Sequence, residues 1–418
     1  MTQSDDRAAP GPTPAVRPFP PSQIALLMAA CVLLGIGTRV ALFGHVSDDF
    51  RKYLLPWWQF ITSHGGYRAL RDNFANYNVP YLYILVALTY LTGHVLAAIK
   101  AVSVLFDAAL AVLTYVIVHR SGRSPRVAGF AGLGVFLLPT VVLNSAMWGQ
   151  CDSIYAAFTL AGLVFLMLRR PWLACAAFGA AYAFKQQALF VFPLLLVLAL
   201  RRELPWRTLS AIPAVFLLLD VPALLLGRPI GDLVTVYAAQ ARAESTLTAL
   251  APSAYALVPH PSEAAIGPLR IAGTLLAGAV VLLMVGLIAS TREVLNPARL
   301  VLVATTFAIA VPFLLPGMHE RYFFLADVLS VAAAFLRARR LWYLPLLVQY
   351  ASLASYAPYL FGHEGEPQSP LPALAMLAAL VVMSIHLVRE LRLGPARPGT
   401  AGEQTRDRAA RPDTVRGR

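Results

Sequence analysis

The sequence predicts an all-α polytopic membrane protein with about twelve transmembrane helices, and its composition and its apolar runs carry that prediction. Of the 418 residues, 58% are hydrophobic and only 13% are charged, and the mean hydropathy is +0.65. Soluble domains average about 45–50% apolar and about 25% charged residues. Apolar runs of near-spanning length also recur along most of the chain. The lipid bilayer is therefore the first partner that the sequence predicts.

The predicted spans are apolar runs bounded by charged or turn-forming residues. They lie at roughly 23–43, 95–118, 126–143, 153–168, 208–227, 269–289, 299–315, 323–337, 341–360 and 371–388, with one longer run at 172–200. That longer run contains Lys185 and is too long for one span, which favours two short helices that meet near the lysine. We expect the first run to be a retained anchor, because it has no obvious small-residue cleavage site. No internal repeat is visible.

The arginines predict the topology. They cluster after alternate spans, at Arg120, Arg123, Arg126, Arg169, Arg170, Arg201, Arg202, Arg207, Arg292, Arg299, Arg337, Arg339 and Arg340. With both termini cytoplasmic, all of these residues lie on the cytoplasmic side of the plasma (inner) membrane, as the positive-inside bias requires. This holds only if residues 79–92 do not cross, and we expect that segment to be a helix lying in the outer interface. The first loop, the inter-span turns and the loop 228–268 then share the outer face.

Both ends of the chain differ from this membrane domain, which we place at 23–388. Residues 1–22 are rich in proline and residues 389–418 in arginine, proline and glycine, so both are predicted to be disordered. Much of the net charge of +13 lies in the second of these ends, and we do not interpret it as a nucleic-acid signal. The three cysteines have neither a metal-ligand spacing nor a disulfide pattern.

Two adjacent carboxylates, Asp48 and Asp49, follow the first span. Tyr53 and Trp57 come next and can place the loop at the membrane surface. One carboxylate could act as a general base that takes a proton from an acceptor hydroxyl. The alternative is a solvated loop start or a helix cap. The residues do not decide between the two aspartates.

A second motif, Trp148-Gly149-Gln150-Cys151-Asp152, lies between the third and fourth spans on the same predicted face. Gly149 allows a tight turn or the close approach of a ligand. Asp152 is expected to contact substrate or support a residue that does. It could equally cap the next helix, since aspartate is a preferred N-cap residue.

Lys185 and Gln186 stand at the outer end of the predicted helix hairpin. A lysine there can bind a phosphate as a point charge. Alternatively, the lysine binds no ligand and only extends its ammonium group to the lipid headgroups. We favour phosphate binding because this lysine faces outward, whereas the positive-inside bias concentrates basic residues on the other side.

The densest polar cluster within the membrane domain is Met318-His319-Glu320-Arg321-Tyr322. Arg321 can bind two phosphate oxygens at once. His319 could donate to the same phosphate, and Glu320 could orient either side chain. The alternative is a structural network in which Arg321 pairs with Glu320 or Asp327.

Two further carboxylates, Asp107 and Asp220, lie inside apolar spans. Intramembrane carboxylates are functional candidates by default. Both could equally be paired structural groups, so we do not assign them a catalytic role. The sequence has no dinucleotide-binding glycine motif, phosphate-binding loop, zinc-protease motif or Cys/His metal pattern.

In combination, these motifs resemble the GT-C superfamily of polytopic glycosyltransferases. Within it, the chain is similar to the bacterial branch related to the eukaryotic GPI-anchor mannosyltransferase II, with glycosyltransferase family 87 as a near neighbour. The resemblance covers most of residues 25–390 and rests on the segments Asp49 to Trp57, Asn76 to Leu82, Trp148 to Tyr155, Phe184 to Phe190 and Met318 to Tyr322.

The resemblance implies transfer of a hexose, with mannose as the expected sugar, from a polyprenyl-phosphate donor to a lipid or glycan acceptor. The transfer would occur at the extracytoplasmic face with inversion. The first-loop aspartate of the family corresponds best to Asp49, with Asp48 as the second candidate. Lys185, Arg321 and His319 would bind the donor phosphate. The residues expected to contact substrate or support those contacts are Trp148, Gln150, Asp152, Gln186, Glu320, Tyr322 and Tyr81.

The predicted chemistry needs one base and a cationic phosphate site, and it needs no metal. Some related enzymes use a divalent cation, and Asp48, Asp49 and Asp152 could hold one. The alternative function is a polytopic transporter or flippase of lipid-linked sugar. A transporter should show repeat symmetry and polar groups near the middle of the membrane, whereas here the polar groups gather on one face.

Overall fold

The structure, a computed structural model, describes residues 20–258, 261–362 and 369–392. Within these ranges the chain is almost entirely helical, and its only two strands are the two-residue segments β1 (Thr248–Ala249) and β2 (Met318–His319), which pair in parallel. The predicted all-α class is therefore confirmed. The two ends predicted to be disordered lie outside the described residues, except that the first helix begins at Pro21 and the last ends at Glu390.

The α-helices are numbered here in chain order. They are α1 (Pro21–Leu42), α2 (Leu55–Ser63), α3 (Val79–Leu91), α4 (Val95–Arg120), α5 (Pro125–Phe136), α6 (Pro139–Val142), α7 (Asp152–Met167), α8 (Pro171–Phe184), α9 (Phe192–Leu200), α10 (Ala211–Leu225), α11 (Ile230–Val234), α12 (Val236–Ala243), α13 (Glu263–Ser290), α14 (Pro297–Leu314), α15 (Phe324–Leu336), α16 (Ala338–Leu341), α17 (Leu344–Leu360) and α18 (Leu371–Glu390). Single π-helical turns at Phe50–Leu54 and Leu143–Trp148, and 3-10 turns at Gly66–Arg71, Gln186–Val191, Trp206–Ser210 and Ala254–Leu257, connect or extend them.

Six helices of the described ranges are long and apolar enough to cross a membrane, or seven if one bent pair counts as a span. The six are Pro21–Leu42, Val95–Arg120, Trp206–Leu225, Glu263–Ser290, Pro297–Leu314 and Leu371–Glu390. The chain is thus a multi-pass membrane protein by the length and composition of its helices. The other predicted spans correspond to helices shorter than the roughly 20 residues that a straight crossing needs. The count of twelve therefore remains a prediction.

Two interruptions of the apolar helices have clear local causes. Helix α8 ends before Lys185, whose backbone is extended, and a 3-10 turn follows, so the two helices do meet at the lysine as predicted. The bent pair turns by 47° between Pro125–Phe136 and Pro139–Trp148. Proline cannot donate the backbone hydrogen bond that would continue the first helix. The break at Lys185 leaves polar groups at the site described below.

The helices pack around α7 and α14, whose residues are mostly buried. Helix α4 packs against α5 and α7, helix α8 against α7 and α10, and α18 against α14 and α17. In contrast, α1, α10 and α13 expose large apolar side chains such as Leu33, Leu225 and Leu275. Contiguous exposed leucine is expected on a surface that faces lipid.

The segment predicted to lie in the outer interface is helical, as α3. Its 13 residues extend about 20 Å at about 1.5 Å per residue, less than the hydrocarbon thickness of about 30 Å. It packs against α4, α8 and α10 and buries Tyr81, Leu82 and Leu85. Its length supports an interfacial placement, which remains a prediction.

If α3 lies in the outer interface, the chain before it and the chain after it must both lie on the outer side of the membrane. In a cysteine-free variant, Ser63→Cys and Gly93→Cys should both react with an impermeant thiol reagent added from outside. Both positions are exposed, and a Cβ at Gly93 would meet open space. Arg339→Cys, on the predicted inner side, should react only after the membrane is opened. Outside labelling of position 63 but not of position 93 would show that α3 crosses.

Candidate active site

A cavity of about 1070 Å³ lies where the sequence-predicted outer segments meet. Its wall includes the first loop, the turn after Trp148, the break at Lys185, the loop after α10 and the turn after α14. Of the predicted site residues, those that line it are Asp49, Tyr81, Gln150, Lys185, Gln186, His319, Glu320, Arg321 and Tyr322. Asp48, Trp148 and Asp152 do not line it.

The two adjacent aspartates have different environments. The Asp49 side chain is 10% exposed and faces the cavity, whereas that of Asp48 is 49% exposed and lies 3.9 Å from both Arg51 and Lys52. Consecutive residues of a helix point about 100° apart, so the two carboxylates meet different surroundings. The hydroxyl of Ser47 accepts from the Phe50 amide at 3.2 Å and thereby caps this turn. Asp49 is therefore the better placed of the two to act on a ligand.

Three neutral donors surround the Asp49 carboxylate. The Trp148 Nε1–H donates to Oδ2 at 3.0 Å, and the Gln150 amide donates to the same oxygen. The Tyr359 hydroxyl, from α17, donates to Oδ1. Arg321 Nη1 lies 3.7 Å from Oδ2. The carboxylate is thus oriented by groups from several distant segments.

The turn that carries Trp148 and Gln150 depends on Gly149. The π-helical turn Leu143–Trp148 ends at this glycine, whose φ of 81° is readily accessible only without a Cβ. Trp148 is fully buried and stacks on Tyr359, with ring centroids 4.7 Å apart. It therefore contributes support and one hydrogen bond to the site rather than a surface for substrate.

A buried ion pair joins the beginning of α7 to the break after α8. Lys185 Nζ lies 2.5 Å from Asp152 Oδ1, and the Asn144 amide donates to Oδ2 at 2.8 Å. Lys185 also lies 3.5 Å from Gln150 Oε1 and 5.1 Å from the centre of the Tyr77 ring. Asp152 is the first residue of α7 and not its N-cap, and as the counter-ion of Lys185 it supports a neighbouring side chain, which is one of the alternatives predicted for it.

Arg321 lies between the carboxylates of the site. Its Nη1 donates to Glu320 Oε1 at 3.0 Å, and its Nε is 3.9 Å from Asp152 Oδ2. The Nε–H is buried and has no hydrogen-bond partner among the described residues. The guanidinium also lies 5.5 Å from the centre of the Trp148 ring. The predicted pairing with Glu320 is present, and one further donor remains available.

His319 is paired with Glu244, which reaches it from the loop after α12. His319 Nε2 is 2.8 Å from Glu244 Oε2, and its Nδ1 is 3.8 Å from Glu320. Burial opposes the charged imidazolium, but the hydrogen bonds to these two carboxylates raise the pKa of His319 to about 9. Burial likewise opposes the charged form of Glu244, yet hydrogen bonds from His319 and Thr246 lower its pKa to about 2. The pair is therefore charged at neutral pH.

Sequence reasoning missed three contributors: Tyr77, Glu244 and Tyr359. The Tyr77 hydroxyl donates to Gln150 Oε1 at 3.2 Å. Glu244 arrives because β1 pairs with β2 and brings its loop alongside His319. Tyr359 is near the end of α17, 310 residues from Asp49. Its only sequence signal is a polar aromatic residue at the predicted outer end of a span.

The two intramembrane aspartates do not line the cavity. Asp107 is fully buried and paired with Arg39 at 2.8 Å, which is the structural alternative considered from the sequence. Asp220 is buried on α10.

The described residues contain no group of three or more His, Cys, Asp or Glu side chains placed to hold a metal ion. Asp48 points away from the cavity, and Asp152 already pairs with Lys185. The three carboxylates considered as ligands therefore do not form a prepared divalent-cation site. The mechanism proposed below includes no metal-dependent step.

Comparison with known proteins adds no assignment, because the chain matches no protein-family model and no curated protein.

The His319–Glu244 pair predicts a pH dependence of stability. A pKa raised from 6.5 to about 9 means that the contribution of His319 is complete below pH 6.5 and is lost as pH rises through about 9. We predict that the melting temperature falls over this interval and that Glu244→Gln makes the fall smaller. Melting followed by intrinsic fluorescence across pH tests this, with the exposed Glu263→Gln as the matched control. An equally steep fall in Glu244→Gln would contradict the assignment.

Proposed function

We propose that this protein is an inverting, GT-C-like membrane glycosyltransferase. It would move a hexose, with mannose as the expected sugar, from a polyprenyl-phosphate donor to a lipid or glycan acceptor at the extracytoplasmic face. The observation that carries the proposal is a single cavity lined by one oriented carboxylate, Asp49, and by two cations, the buried Lys185 and the partly buried Arg321. A base and a cationic phosphate site are the two elements that such a transfer requires.

The surroundings of Asp49 fit a general base. An ionised carboxylate has about four acceptor positions, and Trp148, Gln150 and Tyr359 occupy three of them. The fourth can accept the hydroxyl of an acceptor. Because three donors restrict rotation of the carboxylate, its free lone pair keeps one direction. Orientation of a base by a further group is the geometry that general-base catalysis requires.

The two cations fit stabilisation of a departing phosphate. When the bond from the anomeric carbon to the phosphate oxygen breaks, its electron pair stays with the phosphate, whose negative charge rises. Lys185 and the unpartnered Nε–H of Arg321 would stabilise that charge more than the bound diester, and so accelerate the step. Glu320 and Asp152 keep the two cations in place without substrate.

Inversion imposes a rearrangement on this site. The acceptor oxygen must attack the anomeric carbon from the face opposite to the leaving phosphate, so the sugar must lie between Asp49 and the cations. The contact of 3.7 Å between Arg321 and Asp49 leaves no room for a sugar ring. This contact would therefore open when the donor binds, while Lys185 stays with Asp152. The acceptor proton then passes to Asp49 as the new glycosidic bond forms.

The proposal is tested with purified protein in lipid nanodiscs. Polyprenyl-phosphate mannose is supplied with envelope lipid extract, and products are identified by mass spectrometry. A new glycosidic bond supports the proposal. Movement of the donor lipid across a vesicle membrane without any transfer would favour the transporter instead.

Separate substitution of Asp49 and Asp48 tests which of the two acts as the base. Asp49→Asn keeps the size of the side chain and removes its basicity, so turnover should fall by about 10²–10⁴-fold. Asp48→Asn, the matched control on the exposed side of the same turn, should transfer at a rate near that of the wild type. Equal losses in the two variants, or normal turnover by Asp49→Asn, would contradict the assignment.

Lys185 and Arg321 should affect both the rate and donor binding. We expect Lys185→Ala and Arg321→Ala to lower kcat and to weaken donor affinity. Arg321→Lys should restore little, because a point charge cannot reproduce a planar guanidinium. If both residues act on one phosphate, the double variant should lose less than the sum of the single losses. Single-turnover rates measure this, and strictly additive losses with unchanged donor affinity would show that the two residues act on different groups.

A further inference from the structure

One buried face of α4 contacts two of the chain segments around Asp49, the segment that leads to it and the turn that carries Trp148 and Gln150. Lys100 and Asp107 are seven residues apart, two helical turns, and so lie on the same side of the helix. Both are fully buried, and neither lines the cavity. The chemistry proposed above uses neither residue, which leaves two buried ionisable groups to explain.

Lys100 binds the end of α1. Its ammonium donates to the carbonyl oxygens of Leu42, Phe43 and His45 at 3.2, 3.0 and 2.6 Å. The carbonyls at the C-terminal end of a helix carry partial negative charge, so a cation is favourable beside Leu42 and Phe43, and the same ammonium reaches His45 in the chain that follows. The three donors of the ammonium thus determine the path of the chain that leads to Asp49.

Ser47 attaches the same segment to the neighbouring turn. Its hydroxyl donates to the carbonyl oxygen of Trp148 at 2.6 Å and accepts from the amide of Phe50 at 3.2 Å. The segment from residue 42 to residue 47 is therefore bound to α4 at one end and to Trp148 at the other. Asp49 follows two residues later.

Asp107 binds both ends of the turn that orients Asp49. Ser145 donates to its Oδ2 and Ser153 to its Oδ1, each at 2.5 Å, and Arg39 donates twice to Oδ2 at 2.8 and 3.0 Å. Trp148 and Gln150, two of the three donors to Asp49, lie between these serines. One carboxylate thus spans the turn and connects it to the helix that carries Lys100.

We propose that Lys100 and Asp107 form a two-point brace on α4 that determines the position of Asp49 relative to Trp148 and Gln150. They are positioning residues, since they act through the segments they bind and do not touch the cavity. As far as turnover is concerned, this inference rests on the proposed function.

The test removes each arm of the brace with a small substitution. Lys100→Met keeps the stem and removes three donors, and Ser153→Ala removes one hydroxyl. Asp107 itself is left intact, because its loss would leave the buried guanidinium of Arg39 without a counter-ion. Ser103→Ala is the matched control, since Ser103 is buried on the same helix and its hydroxyl donates only to Ile99, one turn earlier.

Two measurements follow on folded, full-length protein in nanodiscs. For both brace variants, kcat should fall by about 10- to 100-fold, as misplacement of a reacting group by about 1 Å can cost that much. Donor KM should change little in Lys100→Met, because the segment 42–47 that Lys100 binds includes no partner of Lys185, whereas Asp152, the counter-ion of Lys185, lies in the turn that Ser153 attaches. Hydrogen exchange should rise at residues 43–50 in Lys100→Met and at residues 145–153 in Ser153→Ala. The Ser103→Ala control should show none of these changes.

The outcomes separate this inference from the proposed function. Unchanged exchange in both variants would overturn the brace, whether or not the wild type transfers sugar. Raised exchange with unchanged kcat would overturn the positioning role. Equal losses in kcat and donor affinity in Lys100→Met would indicate a general structural defect and would also overturn it. Absence of transfer by the wild type would instead contradict the proposed function, and the exchange measurement would then decide the brace alone.

Discussion

The pairing of charges in a protein surrounded by lipid is the constraint on which the rest of this structure depends. An ionised side chain removed from water is costly unless opposite charge or hydrogen bonds compensate it. Lys185 meets Asp152, Arg321 meets Glu320, and His319 meets Glu244. Each pair joins residues from different segments or loops, except Arg321 and Glu320, which are adjacent. The loops around the cavity therefore adopt their positions in large part because the charges they carry require partners.

Because of this constraint, the helices and the loops have different roles. The helices supply a packed apolar scaffold whose outer faces suit lipid, while the site is built where helices end or bend. Lys185 interrupts two apolar helices, Gly149 ends a π-helical turn, and the His319 strand pairs with a distant loop. Such breaks leave backbone and side-chain polar groups that can serve a ligand, which a continuous spanning helix does not offer. The contacts of Lys100 and Asp107 on α4 connect the turn around Gly149 and the segment before Asp49 to the helical scaffold.

Sequence patterns predicted the class of the protein and several local breaks well, because those features depend on short stretches of chain. A lysine in the middle of a long apolar run predicted the interruption at residue 185, and a short tyrosine-rich segment predicted the helix α3. The number of spans could not be predicted in the same way. Helices such as α7 and α15 have 16 and 13 residues, so whether they cross depends on tilt and on neighbours that hydropathy does not describe. Residues from each of the five segments quoted for the family resemblance line one cavity, whereas Asp48 and Asp152, two of the three carboxylates considered as possible metal ligands, do not.

The sequence by itself determined that this is a helical membrane protein and which polar segments stand out from its apolar background, because composition and local patterning report directly on burial in lipid. Only the tertiary structure decided which polar groups act together. Asp48 and Asp49 are equivalent as a dipeptide, and the packing of their helical turn against Trp148 makes one buried and the other exposed. Tyr359 and Glu244 join the site from positions far along the chain. Asp152 proved to be a counter-ion because Lys185 lies 2.5 Å away, a distance that depends on how two helix ends pack in space.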